Sequence, residues 1–173
     1  MKYILRWLIR ALFNLVARVE VTGYEHLPKD GSFVIATNHL GIVDAPIALH
    51  PDDTMLWTVV YPERTVDIDL EAGSWFASGG HSLGVLHTPG HAPGCCCFHD
   101  AESGAVFSGD TLFCGGPGAT GRSYSDQPTI LASIREQLLT LPPETVVHTG
   151  HGDSTTIGAE TPIIEELIRS EAN

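Results

Sequence analysis

Three residues stand where side chains can converge on a cation: His91, Asp110 and His151. Each follows an apolar stretch, and each is flanked by glycine, in the runs HTPGHAPG, FSGDTLF and VVHTGHG. Glycine lets the backbone turn sharply at a strand end and bring the side chain to a common edge. Two imidazoles and one carboxylate are borderline ligands suited to Zn, Fe or Mn. A second constellation is His39 and Asp44, placed just after the apolar run SFVIAT. A histidine there can abstract a hydroxyl proton while a carboxylate fixes its tautomer and stabilises its cation.

The elements that must carry these residues follow from periodicity and turn residues. Residues 2–18 have helical spacing, with Lys2, Arg6, Arg10 and Arg18 on one stripe of an otherwise apolar surface. The arginines interrupt any run long enough to span a bilayer, which needs roughly 20 apolar residues. An apolar helix with a cationic stripe suits a membrane interface, and equally suits docking on its own domain. Strands are expected at 19–23 and 32–37, then at 64–70, 74–76 and 81–86, with Gly79-Gly80 as a hairpin turn. Further strands are expected at 95–99, 104–108 and 145–148. Thr129–Leu141 reads as a helix with Ile130, Ile134, Leu138 and Leu141 inward. A closing helix is expected from Thr161, with Pro162 in its first turn.

Residues of about 63–173 resemble the C-terminal half of a metallo-β-lactamase-fold hydrolase, of the glyoxalase II-like branch, whose members cleave thioesters and related substrates. The likeness rests on HTPGHAPG and on the long run from Ser108 through TVVHTGHG to Glu160. It implies that His91, Asp110 and His151 are metal ligands, with Asp110 bridging two metals. It implies an α+β fold, a partial αββα sandwich contributing one half, preceded by an amphipathic helix and short strands. One sheet face then lacks its usual partner sheet, and the first 60 residues or a second copy in a homo-oligomer would cover it. The family's His-x-His-x-Asp-His motif is absent from these 173 residues. With the remaining ligands divided between two metals, the metal is expected to be weakly held. His39, Asp44 or His50 would complete the set if the N-terminal strand docks nearby. Residues 1–50, in VEVTGYEHLPKDG and VIATNHLGIVDAPI, resemble the glycerolipid acyltransferases. That likeness implies His39 as general base and Asp44 as its orienting acid. The organisation read this way is an acyltransferase-like fragment at 1–50, a junction at 51–62 and the hydrolase-like half at 63–173.

Composition bounds the function. The chain carries 9 basic and 21 acidic residues, a formal net charge of -12. Nucleic-acid binding calls for the opposite sign. Residues 1–50 are nearly balanced, whereas the rest holds almost all the excess acid, which suggests two segments of different origin. Cys95, Cys96, Cys97 and Cys114 form no disulfide framework, so a reducing cytoplasm is the natural compartment, with residues 2–18 peripheral on the membrane. Buried thiols are expected of the Cys95–Cys97 run. The leading expectation is a metal-dependent hydrolase of a small thioester-like substrate. The alternatives are an acyl transferase using His39 and Asp44, and a non-catalytic fusion of two incomplete enzyme domains.

Overall fold

Alternating apolar residues in the second half of the chain build a six-stranded sheet. The structure is a computed structural model and describes residues 47–78 and 81–171. The N-terminal amphipathic helix, the two strands expected before residue 40, and His39 and Asp44 all lie outside the described residues. The sheet comprises β3 (Trp75–Ser78), β4 (His81–His87), β5 (Cys96–Asp100), β6 (Ala105–Gly109), β9 (Val146–Thr149) and β10 (Thr155–Thr156). Their spatial order is β10-β9-β6-β5-β4-β3. All neighbours are antiparallel except β6 and β9, which run parallel.

The parallel pair sets the position of the site. A parallel connection needs a crossover, and here it contains the β7 (Leu112–Phe113) and β8 (Gly116–Pro117) hairpin and then a helix. That helix is α2 (Gln127–Ser133), continued by a π-helical turn at Ile134–Leu138. Because β6 and β9 point the same way, Asp110 and His151 leave the sheet at one edge.

One sheet face makes the core. Val106 and Val147 pair laterally and are fully buried with Ile130, Ile134, Leu138, Ile157 and Ile164. The expected inward positions of the helix therefore hold, with Leu141 packed on the rim of the same cluster. On the opposite face Phe107 and Val146 are 44% and 37% exposed, in a groove they share with Leu83, Ala105 and His148. The sheet is thus one half of a sandwich, with a partly exposed apolar face at Phe107 and Val146.

Two expectations shift. The strand expected at 64–70 shrinks to β2 (Ile68–Asp69), which pairs in parallel with β1 (Ala48–Leu49). The backbone before it is diverted: Trp57 Nε1 donates to Arg64 O, and the Asp67 carboxylate accepts from Ile47 N–H. Residues 51–62 hold a 3-10 turn (Pro51–Asp53) and α1 (Thr54–Val60). The last helix, α3 (Ile157–Glu171), begins four residues earlier than expected, so Pro162 lies inside it. Thr156 Oγ1 accepts from Ala159 N–H and Ile157 N–H donates to Thr145 O, which anchors that earlier start. Among the described residues no helix is long and apolar enough to cross a membrane.

The start of α2 gives a pH-dependent prediction. Asp126 is its N-cap, and its carboxylate accepts from Thr129 Oγ1 and Thr129 N–H. Those hydrogen bonds hold the carboxyl below its ordinary range. A depressed folded pKa adds stability above the unfolded value and loses it as pH falls through the folded one. Asp126→Ala is therefore expected to lower the melting temperature at neutral pH, with the difference from wild type closing in acid. A constant difference across thermal melts from neutral pH into strong acid would refute the assignment.

Candidate metal centre

The first ligand position lies in the loop between β4 and β5. Its entry is fixed by Thr88 N–H donating to Cys95 O at 2.7 Å and by Thr88 Oγ1 meeting Thr111 Oγ1 at 2.9 Å. His91 is buried at 7% exposure. Its Nδ1 lies 2.8 Å from Ala119 O, so Nδ1 carries the proton and donates. That leaves Nε2 with a lone pair. Nε2 is buried, has no hydrogen-bond partner among the described residues, and lies 3.7 Å from Asp110 Oδ2.

Asp110 follows β6 through Gly109, whose φ of +52° turns the chain out of the strand. Ser108 Oγ donates to Leu112 O at 2.7 Å and secures the turn. The third residue, His151, follows β9 in a turn closed by Thr149 Oγ1 donating to His151 O at 2.8 Å. Its Nε2 is 4.0 Å from Asp110 Oδ1. Gly150 makes this approach possible: a Cβ there would stand 2.5 Å from Asp110 Oδ1. His151 packs on the Phe113 ring at 4.5 Å between centroids, with most of its side chain open to solvent.

Asp110 turns one oxygen toward each histidine, so the three residues singled out in the sequence form two imidazole–carboxylate pairs that share Asp110, and their three ligand atoms do not all lie within 4.8 Å of one another. Two donors bound to one ion at about 2.0–2.2 Å each are separated by somewhat less than twice that length. At a tetrahedral angle that separation is about 3.3–3.6 Å, so the 3.7 Å pair is close to it and the 4.0 Å pair is wider. An imidazole nitrogen facing a carboxylate needs a proton or a cation between the two, and a cation there satisfies both. A backbone carbonyl on the far ring nitrogen is the usual support for a metal-binding histidine. The donor set thus fits a divalent ion.

The turn between β7 and β8 is tied down from α3. Glu160 is 2% exposed, and its carboxylate accepts from Gly115 N–H at 3.0 Å and Thr155 Oγ1 at 2.6 Å. These bonds hold the segment leading to Ala119, and so the carbonyl that orients His91.

A second cluster was not drawn from the sequence. His50, Asp52 and His87 bring potential ligand atoms within 4.8 Å of one another. The His50 and His87 rings are stacked at 3.9 Å and 10°. Imidazole lone pairs lie in the ring plane, so an ion shared by two stacked rings would sit well out of both planes. His50 Nδ1 also accepts from Asp52 N–H at 3.3 Å, and His87 Nε2 lies 2.9 Å from Pro93 O and donates to it. Burial, then the neighbouring His87, holds His50 below its ordinary pKa. This is a stacked corner, and it occupies the His50 that was expected as a replacement ligand. Beside it, Asp53 is 5% exposed and accepts from Gly94 N–H at 2.7 Å, with burial raising its carboxyl pKa.

Cys96 and Cys97 are held as thiols. Burial pushes Cys96 up to about 12 and Cys97 up to about 11. Cys95 and Cys97 are buried. His148 stacks on Phe107, with Nδ1 3.2 Å from Ser154 Oγ, and His81 pairs with Asp100 at 2.8 Å.

Comparison with known proteins places this geometry in a family. The chain matches the family described as "Metallo-beta-lactamase superfamily" over residues 6–151. It belongs to that superfamily. It is 35% identical over 129 residues to "Probable metallo-hydrolase YqgX" of Bacillus subtilis, covering 68% of this chain and 61% of the relative. It is 43% identical over 81 residues to "Hydroxyacylglutathione hydrolase GloC" of Haemophilus influenzae, covering 47% of this chain and 38% of the relative. Among solved structures, TTHA1623 in a di-iron-bound form matches at 38% identity with a TM-score of 0.55, covering 67% of this chain and 62% of that one. The chain thus spans less than two-thirds of each of these relatives. The superfamily match takes in most of residues 1–50, and the acyltransferase resemblance of that segment gains no support from it.

Proposed function

We propose that this chain is a metal-dependent hydrolase of a small thioester or related carbonyl substrate, held to its metal by His91, Asp110 and His151. The observation that carries the reading is the buried, unpartnered His91 Nε2 facing the Asp110 carboxylate at 3.7 Å. The names of two relatives, a probable metallo-hydrolase and a hydroxyacylglutathione hydrolase, favour hydrolysis and a glutathione thioester as the first substrate to test. Zinc, iron and manganese all suit two imidazoles and a carboxylate, and the di-iron form of TTHA1623 favours testing iron beside zinc.

A divalent ion in this position supplies Lewis acidity and lowers the pKa of the water it binds. The chain's own residues do the rest. Ala119 O holds the His91 tautomer that leaves Nε2 basic. Asp110 offers one oxygen to each histidine. The open His151 side leaves room for substrate, and the Phe113 ring limits the rotation of that imidazole. Without a His-x-His-x-Asp-His motif the donor set is sparse, so metal exchange is expected to be fast.

The test is hydrolysis of a hydroxyacylglutathione thioester followed as thiol release. Activity should fall on chelation and return with added zinc, iron or manganese. Turnover indifferent to chelator would overturn the proposal.

A further inference from the structure

We propose that Asp53 is a positioning residue for the loop that carries His91, an inference that rests on the metal reading above. His91 is bracketed on its N-terminal side by the crossover helix: Ser133 Oγ donates to Pro89 O at 2.8 Å, and Asp126 N–H donates to Gly90 O at 2.8 Å. On its C-terminal side the bracket comes from a residue 41 positions away, the Asp53 carboxylate accepting from Gly94 N–H at 2.7 Å. The contact is tight by construction. A Cβ at Gly94 would stand 2.7–2.9 Å from Asp53 atoms, so only glycine lets the loop come this close. Next to it, His87 at the base of the loop donates to Pro93 O and stacks on His50. The 50–53 corner thus grips the loop at two points.

Burying a carboxylate is costly unless it is well hydrogen-bonded, and this one spends a charge-assisted bond on the loop backbone. Removing such outer supports of a metal ligand typically weakens binding 10- to 100-fold. The experiment is a cobalt(II) titration of the full chain, read as the visible absorption of the bound ion, with thermal melts alongside. Asp53→Ala is expected to bind cobalt about 10- to 100-fold more weakly with a shifted spectrum. Asp53→Asn keeps an acceptor oxygen for Gly94 N–H and should restore most of both. Gly94→Ala, which forces the same contact apart while leaving the carboxylate in place, should weaken binding similarly and serves if Asp53→Ala does not fold. Wild-type affinity and spectrum in folded Asp53→Ala or folded Gly94→Ala would overturn the inference. Absence of cobalt uptake by the wild type would instead overturn the metal reading beneath it.

Discussion

Asp110→Ala is expected to abolish metal-dependent turnover, with a loss of more than about 100-fold. The estimate is a lower bound, since residues that merely support a ligand already cost 10- to 100-fold when removed. Asp110 does more: its two oxygens lie 3.7 Å from His91 Nε2 and 4.0 Å from His151 Nε2, so one substitution removes the group shared by both histidines. The fold should survive, because Asp110 sits in a turn after β6 while that turn is secured by Ser108 and Leu112. A variant that melts like wild type yet hydrolyses nothing above background is the expected outcome. Retention of more than a tenth of the rate would show that the carboxylate is not shared.

Gly90→Ala should be among the most damaging single methyls in the described residues around the site. Gly90 has a φ of +134°, where side chains are rarely tolerated. Its Cβ would stand 2.4 Å from N, Cα and Cβ of Ile130. Two of those atoms are backbone, so no rotamer change relieves the clash. Ile130 is fully buried in the core, so α2 cannot shift without opening the cluster it shares with Ile134 and Leu138. Overpacking and the forced backbone together point to about 3–5 kcal/mol. For a chain of this size that corresponds to a fall on the order of 10 °C in melting temperature. A melt within a degree or two of wild type would mean that loop and helix are far less closely packed than described.

The placement of the three candidate residues at strand ends was legible because glycine marks where a strand must stop and present a side chain. Gly109 and Gly150 do so at the ends of the parallel β6–β9 pair, and the glycine before His91 does so beyond β4, which runs in the same direction as β6. The core was legible for the same kind of reason: Ile130, Ile134 and Leu138 repeat at helical spacing whether the helix is α throughout or turns to π at Ile134. The contacts that organise the His91 loop were not legible. Asp53 and Gly94 are 41 residues apart, and neither side chain has a pattern that announces the other. The stack of His50 on His87 is equally non-local. The strand expected at 64–70 failed because alternation of Val66, Ile68 and Leu70 records burial, whereas pairing requires a partner, and β1 offers only two residues. The early start of α3 turned on Thr156 and Thr145, whose hydrogen bonds outweigh the reluctance of a helix to contain Pro162.

The most direct measurement is the metal-to-protein ratio of the wild type and of Asp110→Asn, both purified without added metal and then equilibrated with zinc or iron. The account predicts chelator-removable metal on the wild type, rising to about one equivalent or more on equilibration, and little on the variant. Equal metal on both proteins, or none on the wild type at saturating zinc and iron, would contradict it.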